Sequence, residues 1–111
     1  MKRGELYRVH QGDKSDPKNY RVFAIVSRQS LITTAFSSVV CAPVYTNFEG
    51  SLTQLAVGIE EGLKHESAII CDALMSIPKS LLTNYIGKLS VQKLQILNRC
   101  LIAALELEEI I

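Results

Sequence analysis

Residues 20–27 read YRVFAIVS, and the fold class turns on this run. It is β-branched and apolar with a single charge near its head, the composition of a strand in the middle of a sheet. Before it, QGDKSDPKN (11–19) is polar and turn-rich, and ELYRVH (5–10) alternates Leu6, Arg8 and His10 against Tyr7 and Val9 as a half-buried strand does. After it, SSVVCAPVY (37–45) is a further strand, ended by the TNFEGS turn (46–51). SLTQLAVGI (51–59) and SAIICDALM (67–75) bring the expected strands to at least five, with EEGLKHE (60–66) as the loop between them. The period then changes. Pro78 opens a short helical turn, PKSLLTN (78–84), and Gly87 breaks the stretch that follows. Ser90 is a good N-cap for an amphipathic helix whose stripe is Val91, Leu94, Leu97, Leu101, Ala104 and Leu105. Strands first and one terminal helix predict an α+β, mostly β fold: a small barrel with a C-terminal amphipathic helix laid on it. No internal repeat or linker interrupts the chain, so residues 1–111 are expected to form a single domain.

Composition narrows the function classes. The 111 residues carry 12 Lys plus Arg against 11 Asp plus Glu, net +1, with 48% hydrophobic residues, which excludes a disordered chain and gives no global basic signal for nucleic acid. The near-neutral total hides blocks. Residues 1–29 are net +4 and 63–99 net +3, whereas 30–62 and 100–111 are each net −3, so two basic segments could form one positive face. A chain this short buries only roughly two-thirds of its unfolded surface, which favours a partner subunit. Cys41, Cys71 and Cys100 are too far apart for a zinc knuckle and sit in apolar surroundings, as reduced thiols of a cytoplasmic protein do. No metal or other cofactor is expected. The polar N-terminus has no signal core, and the uncharged stretch 29–48 is too often interrupted by Gln, Ser, Thr and Asn for a membrane span.

No Gly-rich phosphate loop, HExxH, GxSxG or paired Cys is present. Reactive side chains remain at strand ends and loops: Arg21 at the rim of the sheet, Tyr45 and Thr46 at the equivalent end after the next strand, Asp72 as the only charge in its apolar run, His65 in the loop before that run, and His10 ending the first strand.

Taken together, KRGELY (2–7), the polar loop, RVFAIVS (21–27), APVYT (42–46), SAIICDALMSIPKSLL (67–82) and IGKLS (86–90) resemble, in order and spacing, the MazF/PemK/Kid toxins of type II toxin–antitoxin systems. The resemblance runs from Lys2 to about Leu107. It implies an SH3-like barrel with small helices and a homodimer. It also implies metal-independent cleavage of single-stranded RNA at short motifs, blocked by a cognate antitoxin. In that chemistry the ribose 2′-OH attacks the neighbouring phosphate, leaving a 2′,3′-cyclic phosphate and a 5′-OH. It needs a base, a cation for the phosphoryl oxygens and an acid for the 5′ oxygen.

By the same resemblance Arg21 falls on the family's Arg at the head of the second strand, with Val22 where Pro is usual, and is expected to stabilise the transition state or donate a proton. Tyr45 falls where the family has a catalytic Thr, and Thr46 follows it. Asp72 matches an acidic residue near the scissile phosphate, while the Arg that some members carry two places earlier is Ile70. His65 or His10 could supply the missing proton transfer. Lys14, Ser15 and Lys18 in the loop 11–19, with Lys64, Lys79 and His10, are the expected RNA contacts. Two other readings stay open: a homologue that the Tyr45 change leaves as a binding module for RNA or antitoxin, and a gyrase poison of the related CcdB type, for which the Glu-Ile-Ile ending (109–111) is the apolar tail.

Overall fold

The computed structural model of the chain describes residues 1–12, 15–16 and 19–108. Seven strands share one sheet: β1 (Glu5–His10), β2 (Tyr20–Ile25), β3 (Ser38–Tyr45), β4 (Gln54–Val57), β5 (Ser67–Ile70), β6 (Met75–Pro78) and β7 (Asn84–Lys88). Two helices complete the fold, the single turn α1 (Gln29–Ile32) and the long α2 (Val91–Leu105). The order across the sheet is β4-β5-β3-β2-β1-β7, with β6 also paired to β3, and every pairing is antiparallel. This is the expected mostly β, α+β fold.

β3 is the spine. One edge pairs with β2; the other takes β5 along Val44 and Tyr45, then β6 along Ser38–Cys41. The run SAIICDALM, expected as one strand, is therefore two. Ile69 faces Val44 but Met75 faces Cys41, a slip of three residues that the 3-10 turn Cys71–Ala73 takes up. β4 covers only Gln54–Val57 of the longer run expected there. PKSLLTN shrinks to a 3-10 turn at Lys79–Leu81, and β7 runs through Gly87 instead of breaking there.

Gly87 has a steric reason to be glycine. A Cβ on it would run into the carbonyl oxygen of Glu61, and one on Gly62, at φ +88°, would run into that of Ile86. The turn after β4 (Ile59–Glu61) thus meets β7 backbone to backbone, and the two edges of the curled sheet close on each other there.

Because the sheet curls, both faces are buried. One packs Leu6, Ala24, Ala42, Val44, Leu55, Val57 and Ile69 under Leu97 and Cys100 of α2. The other packs Tyr7, Val9, Phe23, Ile25, Val39 and Cys41 against Ile32 of α1, Ile77 and Leu82. β1 is accordingly buried on alternate residues of both faces, and only Arg8 in it is exposed. Each fully buried Leu, Ile or Phe contributes about 1.5–3 kcal/mol. Ser90 caps α2 by accepting from the Lys93 N–H at 3.2 Å. The buried stripe of α2 is shorter than the periodicity suggested: Val91 is 69% and Leu105 53% exposed.

Candidate active site

Arg21 is the second residue of β2, opposite Val9 of β1. Val22 pairs with Val44 and Phe23 with Pro43, so one step towards the strand end sets Tyr45 beside Arg21, on the face that carries Phe23. The two side chains stack, with the guanidinium carbon 4.3 Å from the centroid of the Tyr45 ring. Both are half-buried. Among the described residues Arg21 has no carboxylate partner, since both ion pairs belong to Lys93. The result is a cation held over an aromatic ring at a sheet end with no side-chain hydrogen-bond partner among the described residues, which suits it to a phosphate.

Other expected site residues divide by place. His65 stands in an exposed loop, three residues before Ala68, the β3 partner of Tyr45, and its carbonyl accepts from Ser67 Oγ at 3.0 Å. Lys64 is exposed beside it, Thr46 is exposed one residue past β3, and Ser15 is exposed in the β1–β2 connection. These share the end of the sheet that bears Arg21 and Tyr45. Lys14, Lys18 and the tail 109–111 lie outside the described residues.

His10 lies at that end but on the opposite face. Its ring meets Tyr20 edge-on with centroids 4.9 Å apart, and its Nε2 is buried with no hydrogen-bond partner among the described residues. Arg8 lies over the same Tyr20 ring at 5.0 Å. With the Asn84 amide oxygen turned towards it, Arg8 donates to that oxygen from Nη2 at 3.1 Å and from Nε at 3.2 Å. This second cluster was not foreseen. The alternation of β1, which puts Arg8 and His10 on one face, was its only sequence signal.

Two expected residues are elsewhere. Asp72 sits four positions past Ala68 on the turn after β5, about 13 Å along the strand direction, and its Oδ2 accepts from Thr53 Oγ1 at 2.6 Å. Lys79 follows Pro78, which pairs with Ser38 at the far end of β3, about 23 Å from Tyr45. Its Nζ donates to the carbonyls of Leu31 at 3.2 Å and Thr34 at 2.8 Å, where it closes the C-terminal end of α1. Two cations of the basic segments are spent elsewhere: Arg3 donates to the Val26 carbonyl and to Asn98 Oδ1, and Lys93 is paired internally.

Glu61, expected in a solvated loop, is 2% exposed. Its carboxylate accepts from the Gly58 N–H at 2.7 Å and from Lys93 Nζ at 2.8 Å. Two surface hollows, of about 410 and 510 Å³, flank this pair and touch neither Arg21 nor Tyr45. Among the described residues no cluster of three His, Cys, Asp or Glu could hold a metal, and no helix is long and apolar enough to cross a membrane.

A small curled antiparallel sheet with a C-terminal helix packed on one face is a small β-barrel fold. The chain belongs to the PemK-like, MazF-like toxins of type II toxin–antitoxin systems, whose family pattern it matches over residues 2–105. The same fold recurs in solved structures. A Mycobacterium tuberculosis toxin, MazF-mt6, is 23% identical, with 95% of this chain and 99% of that one covered at a TM-score of 0.81. A mycobacterial endoribonuclease in complex with its cognate antitoxin is 23% identical, with 98% of each chain covered at 0.83. The MazF of a Deinococcus radiodurans MazE–MazF complex is 13% identical, with 97% of each chain covered at 0.75. No curated protein sequence matches the chain significantly.

Proposed function

We propose that this chain is an endoribonuclease toxin that cleaves single-stranded RNA without a metal ion, works as a homodimer and is held inactive by a cognate antitoxin. The observation that carries the reading is the Arg21 guanidinium, set over the Tyr45 ring at the sheet end with no acidic partner among the described residues. In the reaction the 2′ oxygen bonds to phosphorus as the bond from phosphorus to the 5′ oxygen breaks. The 2′ proton passes to a base, and the departing 5′ oxygen takes a proton from an acid. Arg21 donates to the non-bridging oxygens as negative charge builds on them. His65, at the head of β5 on the same end of the sheet, is the candidate proton carrier. Unpaired RNA is the fitting substrate because its backbone can turn the 2′ oxygen into line.

The test is cleavage of a long single-stranded RNA in EDTA, with the ends of the products mapped. Fragments with cyclic phosphate and 5′-OH ends are expected, and Arg21→Ala should lose about two orders of magnitude in kcat, the scale of one charge-stabilising group. Cleavage abolished by EDTA, or an Arg21→Ala variant as active as its parent, counts against the reading. Two features favour a second reading, an inert module that binds RNA or antitoxin: by the resemblance Tyr45 falls where the family has Thr, and Asp72 is committed to Thr53. An inert parent whose Tyr45→Thr variant cuts RNA would decide for it.

A further inference from the structure

Tyr45 takes the position of a small hydroxyl residue, and the obvious assumption is that its own hydroxyl substitutes. The geometry points to a different role: we infer that Tyr45 is a positioning residue, acting through the face of its ring to hold the Arg21 guanidinium in the plane from which it meets phosphate. This rests on Arg21 being the catalytic cation proposed above.

The argument begins with what an arginine at an open strand end lacks. Its long side chain has about 2 kcal/mol of rotamer freedom, and among the described residues no carboxylate pins Arg21. A carboxylate would fix it only by occupying two of its donors and cancelling its charge. An aromatic face does neither. It attracts the cation from below, and the five N–H groups, all in the guanidinium plane, keep pointing outward. The 4.3 Å separation places the guanidinium on the ring face of Tyr45, and the register of β2 on β3 makes the two direct cross-strand neighbours. Tyr45 is itself steadied from the other side, where its backbone pairs with Ala68 of β5. The strand that carries the ring is therefore held on both edges, and a threonine in its place could not offer a π face at all.

The hydroxyl and the ring make opposite predictions, which an aromatic series separates. Tyr45→Phe and Tyr45→Trp keep the platform without the phenol; Tyr45→Leu and Tyr45→Thr remove it. Two readouts are taken on each folded full-length variant, folding being checked by thermal melting. One is kcat and KM on a single-stranded oligoribonucleotide. The other is the Arg21 side-chain Nε–H resonance in the free protein, which a ring beneath the guanidinium moves upfield whether or not the protein cuts RNA. The expected result is that Phe and Trp hold kcat within about threefold and keep the resonance shift. Leu and Thr should lose the shift and about fivefold to thirtyfold in kcat at little change in KM, the scale of one cation–π contact.

If Tyr45→Phe falls as far as Tyr45→Leu while its resonance stays shifted, the phenol does the chemistry and the inference is overturned. If no variant changes the resonance, the stack does not exist in solution and the inference fails on geometry. If the resonance behaves as expected but Arg21→Ala cleaves like the parent, the stack stands, and it is the assignment of Arg21 as the catalytic cation that falls, taking the positioning role with it.

Discussion

At the scale of single residues, Lys79 shows how a plausible phosphate contact becomes something else once the chain is folded. Its ammonium donates to two carbonyls at the end of α1, those of Leu31, which also accepts from Thr34, and of Thr34 itself. Lys79→Ala is expected to lower stability by about 1.5–3 kcal/mol, the range for hydrogen bonds to a charged group, read as a lower urea midpoint at unchanged slope. RNA affinity and its dependence on salt should stay as they are, because Lys79 lies at the opposite end of β3 from Arg21. Asp72 and Lys79 were legible as polar residues with work to do, but not where. Both follow apolar runs whose ends are set by pairing with β3, and strand partners cannot be read from one strand's composition. Arg21 and Tyr45 were legible as neighbouring strand ends, since each opens or closes a clear apolar run. That they stack required the register.

Elements were legible in proportion to how locally they are determined. β2, β3 and α2 have the right period and the right caps, and they form where the sequence puts them. The missed break at Cys71–Ala73 and the missed β7 have a common cause. Both exist because of a distant backbone: the edge of β3 in one case, the carbonyl of Glu61 in the other. The clearest energetic consequence at this scale concerns α2. Lys93 reaches from its first turn to the buried Glu61, so the ion pair ties the helix to the turn that closes the sheet. Lys93→Met strands a buried carboxylate and should cost about 3 kcal/mol. Adding Glu61→Gln to that variant should recover part of the loss, because no unpaired charge is then left inside. Chemical denaturation of the two variants and the double variant checks this; equal losses in Lys93→Met and the double variant would show that the pair contributes nothing beyond packing.

For the whole molecule, several buried groups must stay neutral for the fold to hold. Burial pushes the Cys41 thiol up to about 12 from 9.0, and Cys71 likewise, with Cys100 and Asp72 adding to its shift. Burial, with the hydrogen bond to Glu5 adding to it, takes Tyr7 from 10.0 to about 12. All three folded values lie above the unfolded ones. Their contribution is therefore complete below about pH 9 and is lost as pH rises from 9 towards 12, at about 1.4 kcal/mol per pH unit for each group ionised only in the unfolded chain. Urea midpoints measured under reducing conditions should be flat from pH 7 to 9 and fall steeply beyond. Cys41→Val, which keeps the volume and removes the thiol, should make that fall shallower; an unchanged slope would remove Cys41 from the account.

The hydrogen bond from Arg3 to Asn98 joins positions 95 apart, and β1 finds its outer neighbour only in β7, next to the last element of the chain. In biosynthetic time that is a long wait. At about 5–20 residues per second, roughly 5–20 s separate the first residue of such a contact from the second. The hairpin of β2 and β3, which brings Arg21 to Tyr45, is available early; the strand and helix that close the sheet around it arrive last. A ribosome making this toxin therefore holds both halves of the Arg21–Tyr45 pair before the enclosing barrel exists, and the finished surface appears only once β7 and α2 have been made.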